Sequence, residues 1–328
     1  MGYTYFSDLI IWCKKISKKA SPDKSYRNGL SLVELFKKFT NVEAAEDWFI
    51  EARWGGKVEC PKCGSRNIQD NTTHPHMRFR CRKCRKFFST KTGTVMESSK
   101  LGYQHWAIAI FQMTTNLKGV SSMDLARDLE IQQKYAWHLA HKIRETFNDN
   151  DSVLIGKIGV DETYVGGLEE NKHADKKLNA GRGGVGKAIV AGMKERESNQ
   201  LIAQVVENTK RSTLHGFIHD NVQQDSEVFT NDLARYESLV DFDHKVEKHS
   251  VGEYVKKQAY INGMESFWTT LKRVHKVVFH KVSLKLLNRY VQEFAGRHNI
   301  RRKDTEDQKA SFASGMVGKQ LTYKELAK

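Results

Sequence analysis

Four of the five cysteines fall in two pairs, Cys60-Pro-Lys-Cys63 and Cys81-Arg-Lys-Cys84, with 17 residues between the pairs. Each pair makes a knuckle, and two knuckles can close a tetrahedral shell of four thiolates that suits structural Zn2+. A closed shell leaves no position for a substrate, so this metal would hold a fold and do no chemistry. Two disulfides are the alternative. They are disfavoured because Cys13 is left over and because the N-terminal MGYTYFSDLIIWCKK reads as part of a helix, not a secretion signal. The pattern predicts a zinc ribbon with Phe87 and Phe88 packed beneath it and a basic surface that includes Arg82 and Lys83.

A second group of residues is acidic. Asp161 ends the apolar run Leu154-Ile-Gly-Lys-Ile-Gly-Val160, Asp232 lies just past a short strand ending near Thr230, and Glu265 lies on a helix 33 residues later. Carboxylates from strand ends and a facing helix can hold two divalent ions ~3.5–4 Å apart, an arrangement that serves phosphoryl transfer. Oxygen ligands favour Mg2+ or Mn2+ over Zn2+. At about 100° per residue, Lys272 returns to within ~20° of Glu265, and Asn262 lies ~60° away. One helix face then offers an oxygen ligand, a carboxylate and a cation for a DNA phosphate, with Arg273 beside it. The Gly181–Lys187 stretch matches GxxxxGK, but Ala188 stands where a phosphate loop needs a hydroxyl and a strand follows. A basic loop touching a phosphate backbone is the better reading.

The elements that must position these groups follow from periodicity. The order is a helical region at 1–57, the zinc ribbon at 58–92, a helix-turn-helix region at 93–150, an α/β core at 151–300 and a C-terminal tail at 301–328. Met123 to Glu130 has helical spacing, Ile131-Gln132-Gln133 is a turn, and Tyr135, Trp137, Leu139, Ala140 and Ile143 line a second helix. Lys134, His138, Lys142 and Arg144 on that second helix are the candidate DNA contacts in a major groove. An ordinary helical hairpin is the bland alternative. From Val153 the pattern gives three strands in a meander, a helix, a strand and two helices, an order that suits a ribonuclease-H-like α/β core.

The 328 residues carry 54 Lys+Arg against 39 Asp+Glu, a formal charge of +15, which predicts a polyanionic partner such as nucleic acid. No run approaches the ~18 apolar residues of a membrane span, so no membrane association is expected.

With these residues in hand, the sequence resembles bacterial insertion-sequence transposases of the zinc-ribbon ISXO type, relatives of the eukaryotic Merlin elements. The resemblance runs through Ala44-Ala-Glu-Asp-Trp-Phe49, Cys60-Pro-Lys-Cys63-Gly-Ser65, Lys91-Thr-Gly-Thr94, Lys118-Gly-Val-Ser121 and Val160-Asp-Glu-Thr-Tyr-Val-Gly-Gly167. It continues in His249-Ser-Val-Gly-Glu-Tyr-Val255, Asn262-Gly-Met-Glu-Ser-Phe-Trp268 and Glu293-Phe-Ala-Gly-Arg-His-Asn299. It implies a DDE-type core of ribonuclease-H-like fold, with catalytic roles on Asp161, the second acidic position, and Asn262 or Glu265 with Lys272.

One departure bears on the chemistry. The family pattern at the second position is Thr-Asp-x-x-x-x-Tyr, whereas here Thr230 is followed by Asn231, with Asp232 one place later and Tyr236 in register. Either Asp232 takes over as ligand, or Asn231 sits in the site as a weaker neutral ligand and impairs the enzyme.

The expectation is a cytoplasmic, nucleoid-associated transposase that acts as a dimer or higher assembly on double-stranded DNA. It would bind terminal inverted repeats and carry out metal-dependent cleavage and strand transfer. The rivals are a DNA-binding protein with a decayed core, a ribonuclease-H-like nuclease acting on RNA–DNA hybrids, and a non-enzymatic scaffold.

Overall fold

A computed structural model describes residues 30–116, 118–147, 153–167, 184, 186–231, 234–247, 262–279 and 282–327. The N-terminal part holds helices α1 (Leu32–Lys38), α2 (Val42–Trp54), α3 (Tyr103–Thr115), α4 (Ser122–Asp128) and α5 (Gln133–Glu145). Their starts are written in the sequence. Ser31 and Glu34 form a capping box on α1, Asn41 accepts from the Ala44 N–H at 2.7 Å, and Ser121 accepts from the Asp124 N–H at 3.1 Å. Leu35, Phe49, Trp106, Ile110, Leu139 and Ile143 meet in one core.

Between α2 and α3 lies a three-stranded antiparallel ribbon, β1 (Ile68–Gln69), β2 (Phe79–Cys81) and β3 (Phe87–Phe88). Trp54 closes its inner face, with its ring edge-on to Phe79 at 6.0 Å and to Phe88 at 6.3 Å. Phe88 packs there as expected. Phe87 does not: alternation along the strand turns it outward, 42% exposed, between His74 and the Arg80 guanidinium.

The second part is a five-stranded sheet of β4 (Lys157–Val165), β5 (Ala188–Glu195), β6 (Leu201–Val206), β7 (Glu227–Asn231) and β8 (Asp243–Glu247). The spatial order is β6-β5-β4-β7-β8. β4, β5 and β6 form the antiparallel meander, whereas β7 runs parallel to β4 and β8 parallel to β7. Helix α6 (Arg211–Asn221) connects β6 to β7 and covers one face of the sheet, packing Leu214, Phe217 and Ile218 against Ile158 and Val160 of β4. Helices α7 (Asn262–Val277) and α8 (Leu284–Ile300) cover the other through Met264, Trp268, Leu271, Val291 and Phe294. Sequence periodicity missed β8, because Asp243-His-Lys-Val-Glu247 is a charged edge strand with no alternating apolar signal.

Residues 301–328, expected as a tail, hold α9 (Thr305–Ser314) and α10 (Tyr323–Ala327). Phe312, Ala313 and Met316 enter the first core, the Val95 N–H donates to the Met316 carbonyl at 3.1 Å, and the Gly318 N–H donates to the Gly93 carbonyl at 2.9 Å. Among the described residues no helix is long and apolar enough to cross a membrane.

Candidate active site and metal centre

The four paired cysteines converge. Cys60 and Cys84 sulfurs are 3.6 Å apart, as are those of Cys63 and Cys81, and one ligand atom from each lies within 4.8 Å of all the others. Four thiolates at ~2.3 Å from one Zn2+ stand ~3.8 Å from each other, so the spacing fits that ion. Gly64 makes the first knuckle possible with φ +66, a left-handed turn that lets its N–H reach the Cys60 carbonyl at 2.9 Å. The Cys84 N–H, donating to Cys81 Sγ at 3.4 Å, draws the Cys81 thiol down to about 6. A thiol so placed gives up its proton readily to a metal.

The acidic group is built on β4. Side chains alternate across the sheet, so Asp161 points to the α7 face and Glu162 to the α6 face. Asp161 was expected at the end of its strand; β4 instead continues to Val165, paired with β5, after its pairing to β7 stops at Gly159–Phe229. Both Asp161 oxygens have partners. Trp268 Nε1 on α7 donates to Oδ2 at 2.9 Å, and Asn231 Nδ2 at the end of β7 donates to Oδ1 at 3.3 Å. Burial is the main cause that pushes the Asp161 carboxyl up to about 6; the charges of Glu162 and Glu265 push the same way, and the Trp268 bond opposes them.

Gly192 on β5 faces Asp161 across the ladder, and a Cβ there would stand 2.5 Å from Met264 Cε and 2.7 Å from Trp268 Cη2. The glycine therefore lets α7 settle against the strand that carries Asp161. On α7, Glu265 is exposed one turn before Trp268, with Lys272 and Arg273 exposed further along. Asn262 is the first residue of α7; its side chain, like the whole of Asp232, lies outside the described residues.

On the opposite face, Glu162 is held by Tyr236, whose hydroxyl donates to Oε2 at 2.5 Å, and by Arg235, whose Nη1 reaches Oε1 at 3.3 Å. Among the described residues the oxygen of Asn231, Oδ1, is buried with no hydrogen-bond partner. An orphaned amide oxygen beside a carboxylate is the donor set a hard cation takes.

The helix-turn-helix candidates divide. Lys134 is exposed at the start of α5, and His138 is half-buried with Nε2 3.3 Å from the Leu321 carbonyl oxygen. Lys142 and Arg144 are buried and are not free to meet DNA. Lys142 Nζ donates to the Glu97 carbonyl at 3.0 Å. Arg144 Nε pairs with Glu293 on α8 at 2.7 Å, and Arg297 Nη1 lies 3.4 Å from the same carboxylate. The reason is that the end of α5 is covered from more than one side: its apolar stripe of Ala136, Leu139, Ala140 and Ile143 packs into the first core, while His141 and Arg144 meet Tyr290 and Glu293 on α8. Arg82 and Lys83 stay exposed between the two ribbon cysteines.

The comparisons accord with this geometry. Residues 153–299 match the ISXO2-like transposase domain, and residues 41–87 match the transposase zinc-ribbon domain. An uncharacterized transposase-like protein of Haemophilus influenzae is 32% identical over 97 residues, covering 29% of this chain and 77% of that protein.

The chain belongs to the ISXO2-like transposase family.

An uncharacterized protein in transposable element ISH50 of Halobacterium salinarum is also similar to this ISXO2-like chain. It is 23% identical over 279 residues, covering 81% of this chain and 94% of the relative. Residues that carried the resemblance turn out to brace the ISXO2-like core. Asn299 pins the edge strand β6, accepting from the Leu201 N–H at 2.8 Å and donating to its carbonyl at 2.9 Å. Glu293 joins α8 to Arg144 on α5, and Arg297, one turn further along α8, backs the same carboxylate. Gly192 was not anticipated as a site residue, and Trp268 was expected only to pack or stack near the Glu265 face, not to donate to Asp161.

Proposed function

We propose that the protein is a DDE-type DNA transposase of ribonuclease-H-like fold, which binds the terminal inverted repeats of an insertion sequence and catalyses cleavage and strand transfer. The observation that carries this reading is the meeting of Asp161, Asn231 and the Glu265 helix at one point of the sheet. The strand order β6-β5-β4-β7-β8, antiparallel for three strands and parallel for the remaining two, supports the ribonuclease-H-like assignment.

Asp161 and Glu265, with the Asn231 oxygen or Asp232, would hold Mg2+ or Mn2+. These ions, when bound, polarise the scissile phosphate and lower the pKa of the attacking oxygen. Trp268 and Asn231 fix the rotamer of Asp161, so its lone pairs point the same way before substrate arrives. Lys272 and Arg273 on the exposed face of α7 would bind phosphates of the DNA backbone. The ribbon, with Arg82 and Lys83, and the start of α5, with Lys134 and His138, would grip duplex DNA, and the net charge of +15 supplies affinity without sequence preference. Two element ends must be cut together, which calls for a dimer or larger assembly on DNA.

Asn231 favours a second reading, a DNA-binding copy with an impaired core, because a neutral amide stands beside Asp161 where a second carboxylate is expected. One experiment tests both. The purified chain is incubated with a labelled terminal repeat, a target plasmid and Mg2+ or Mn2+. Joined product supports the transposase; a bound repeat that is never cut in either metal supports the impaired copy.

A further inference from the structure

The strand that carries Asp161 is gripped from both faces. Trp268 holds Asp161 from the α7 side, and a second set of contacts, not needed to hold any ion, holds the next residue from the α6 side. Glu162 has only 4% of its side chain exposed, and Tyr236 none. The Tyr236 ring belongs to the core formed with Leu214, Phe217, Leu239 and Phe242 beneath the sheet, so its position is fixed by packing. From there its hydroxyl reaches the Glu162 carboxylate at 2.5 Å, and Arg235 adds a second contact from the partly exposed rim at 3.3 Å. Burial and the Glu162 charge push the Tyr236 hydroxyl well above its ordinary pKa, so it stays a donor at any working pH.

What this joins is specific. Asn231 ends β7, and Arg235 and Tyr236 form a short 3-10 turn only a few residues on. The chain between them contains both candidates for the second oxygen ligand, Asn231 and Asp232. A tether from Tyr236 to the residue beside Asp161 limits how far Asn231, five residues earlier, stands from Asp161. We infer that Glu162, Tyr236 and Arg235 form a positioning clamp, which fixes the spacing between Asp161 and the second ligand position while touching neither ion nor DNA.

The inference rests on the reading of Asp161 as a metal ligand, and its test separates the two. Uptake of Mn2+ by the full chain, without DNA, is followed by the loss of the free-ion electron paramagnetic resonance signal. The variants are Tyr236→Phe, Arg235→Gln and Asp161→Ala, with thermal melts run alongside. Removing an outer support of a metal ligand weakens binding by roughly tenfold or more. Tyr236→Phe is expected to raise the half-saturating Mn2+ concentration about tenfold by that measure, with a smaller rise for Arg235→Gln and unchanged affinity for duplex DNA. Half-saturation equal to wild type in both variants overturns the clamp, even if the melt falls, since that pattern is packing alone. Should Tyr236→Phe fail to fold, the half-exposed Arg235→Gln decides, and an unshifted curve there overturns the clamp. If wild type and Asp161→Ala take up Mn2+ alike, the reading of the site itself fails, and the clamp falls with it.

Discussion

Trp268 Nε1 and Asp161 Oδ2 lie 2.9 Å apart, so an indole on α7 holds the carboxylate on β4 and ties the Glu265 helix to the sheet. Two distant stretches of chain are thereby brought to one place by a bond that needs no ion. Trp268→Phe keeps most of the packing and removes the donor. End cleavage is expected to slow by about tenfold, the order of loss for an outer support of a metal site, with DNA binding unchanged. Single-turnover cleavage beside a gel-shift titration checks it, and a full cleavage rate would remove Trp268 from the support of the site.

The raised pKa of Asp161 has a consequence for the metal-free chain. Its folded value, about 6, lies above its unfolded value, 3.8. The folded state therefore favours the protonated acid. The contribution of this group is fully present below pH 3.8 and is lost as pH rises through 6. At pH 7.5 the buried charge costs stability, of the order of 1–2 kcal/mol once partial solvent contact is allowed for. Asp161→Asn should raise the melting temperature in chelator at pH 7.5 and leave it unchanged at pH 3.5. Melts at the two pH values are the measurement, and an equal shift at both would point to packing.

Asn231→Asp would place a second carboxylate 3.3 Å from the first, judged by the present Nδ2 position. Two like charges at that distance repel strongly in a buried site. The variant should melt below wild type in chelator and above it in saturating Mn2+, with faster strand transfer. A variant indifferent to Mn2+, with Asp232→Ala inactive, would assign the ligand to Asp232.

Arg144 and Lys134 sit on one helix and should behave in opposite ways. Arg144→Met leaves Glu293 buried and short of its main partner, a loss of about 3–5 kcal/mol, so the melt should drop by several degrees. The salt dependence of DNA binding should hold. Lys134→Ala should leave the melt unchanged and reduce the slope of log affinity against log salt by about 1. Swapped outcomes would return Arg144 to the DNA surface.

Cysteine chemistry gives the simplest test. Zinc removal, or Cys81→Ser, should loosen the ribbon, expose Trp54 and weaken binding of terminal repeats. Fluorescence at the Trp emission maximum reports the first effect and filter binding the second. A chain whose emission and affinity ignore chelators would have no ribbon metal.

Much of this was readable from the chain alone. The zinc shell follows from local spacing, because each knuckle needs only two nearby thiols. The limits of the Glu265 helix follow from its period to within two residues, whereas the end of the Asp161 strand did not, since β4 continues to Val165 through its pairing with β5. Burial of Lys142 and Arg144 was not readable, since it depends on distant contacts: Lys142 reaches the Glu97 carbonyl, and Arg144 meets Glu293 on α8, some 150 residues later. The contact of Trp268 with Asp161 was hidden for the same reason, although Gly192 marked the close approach for anyone who knew which strand faced which helix. The charged strand β8 fell below any periodic signal, and its place is set by the open edge of β7. Asn231 was singled out from spacing, and its placement beside Asp161 is the part of that reading the fold adds to.

The return of α9 to the N-terminal core bears on how such genes decay. A premature stop after Ile300 would spare Asp161, Glu265 and the whole sheet, yet it would strip Phe312, Ala313 and Met316 from the unit that holds Trp106 and Ile110. Damage at the far 3′ end of the reading frame would thus first be felt by the amino-terminal helices, and a truncated copy would keep the sheet that carries Asp161 while its opposite end came apart.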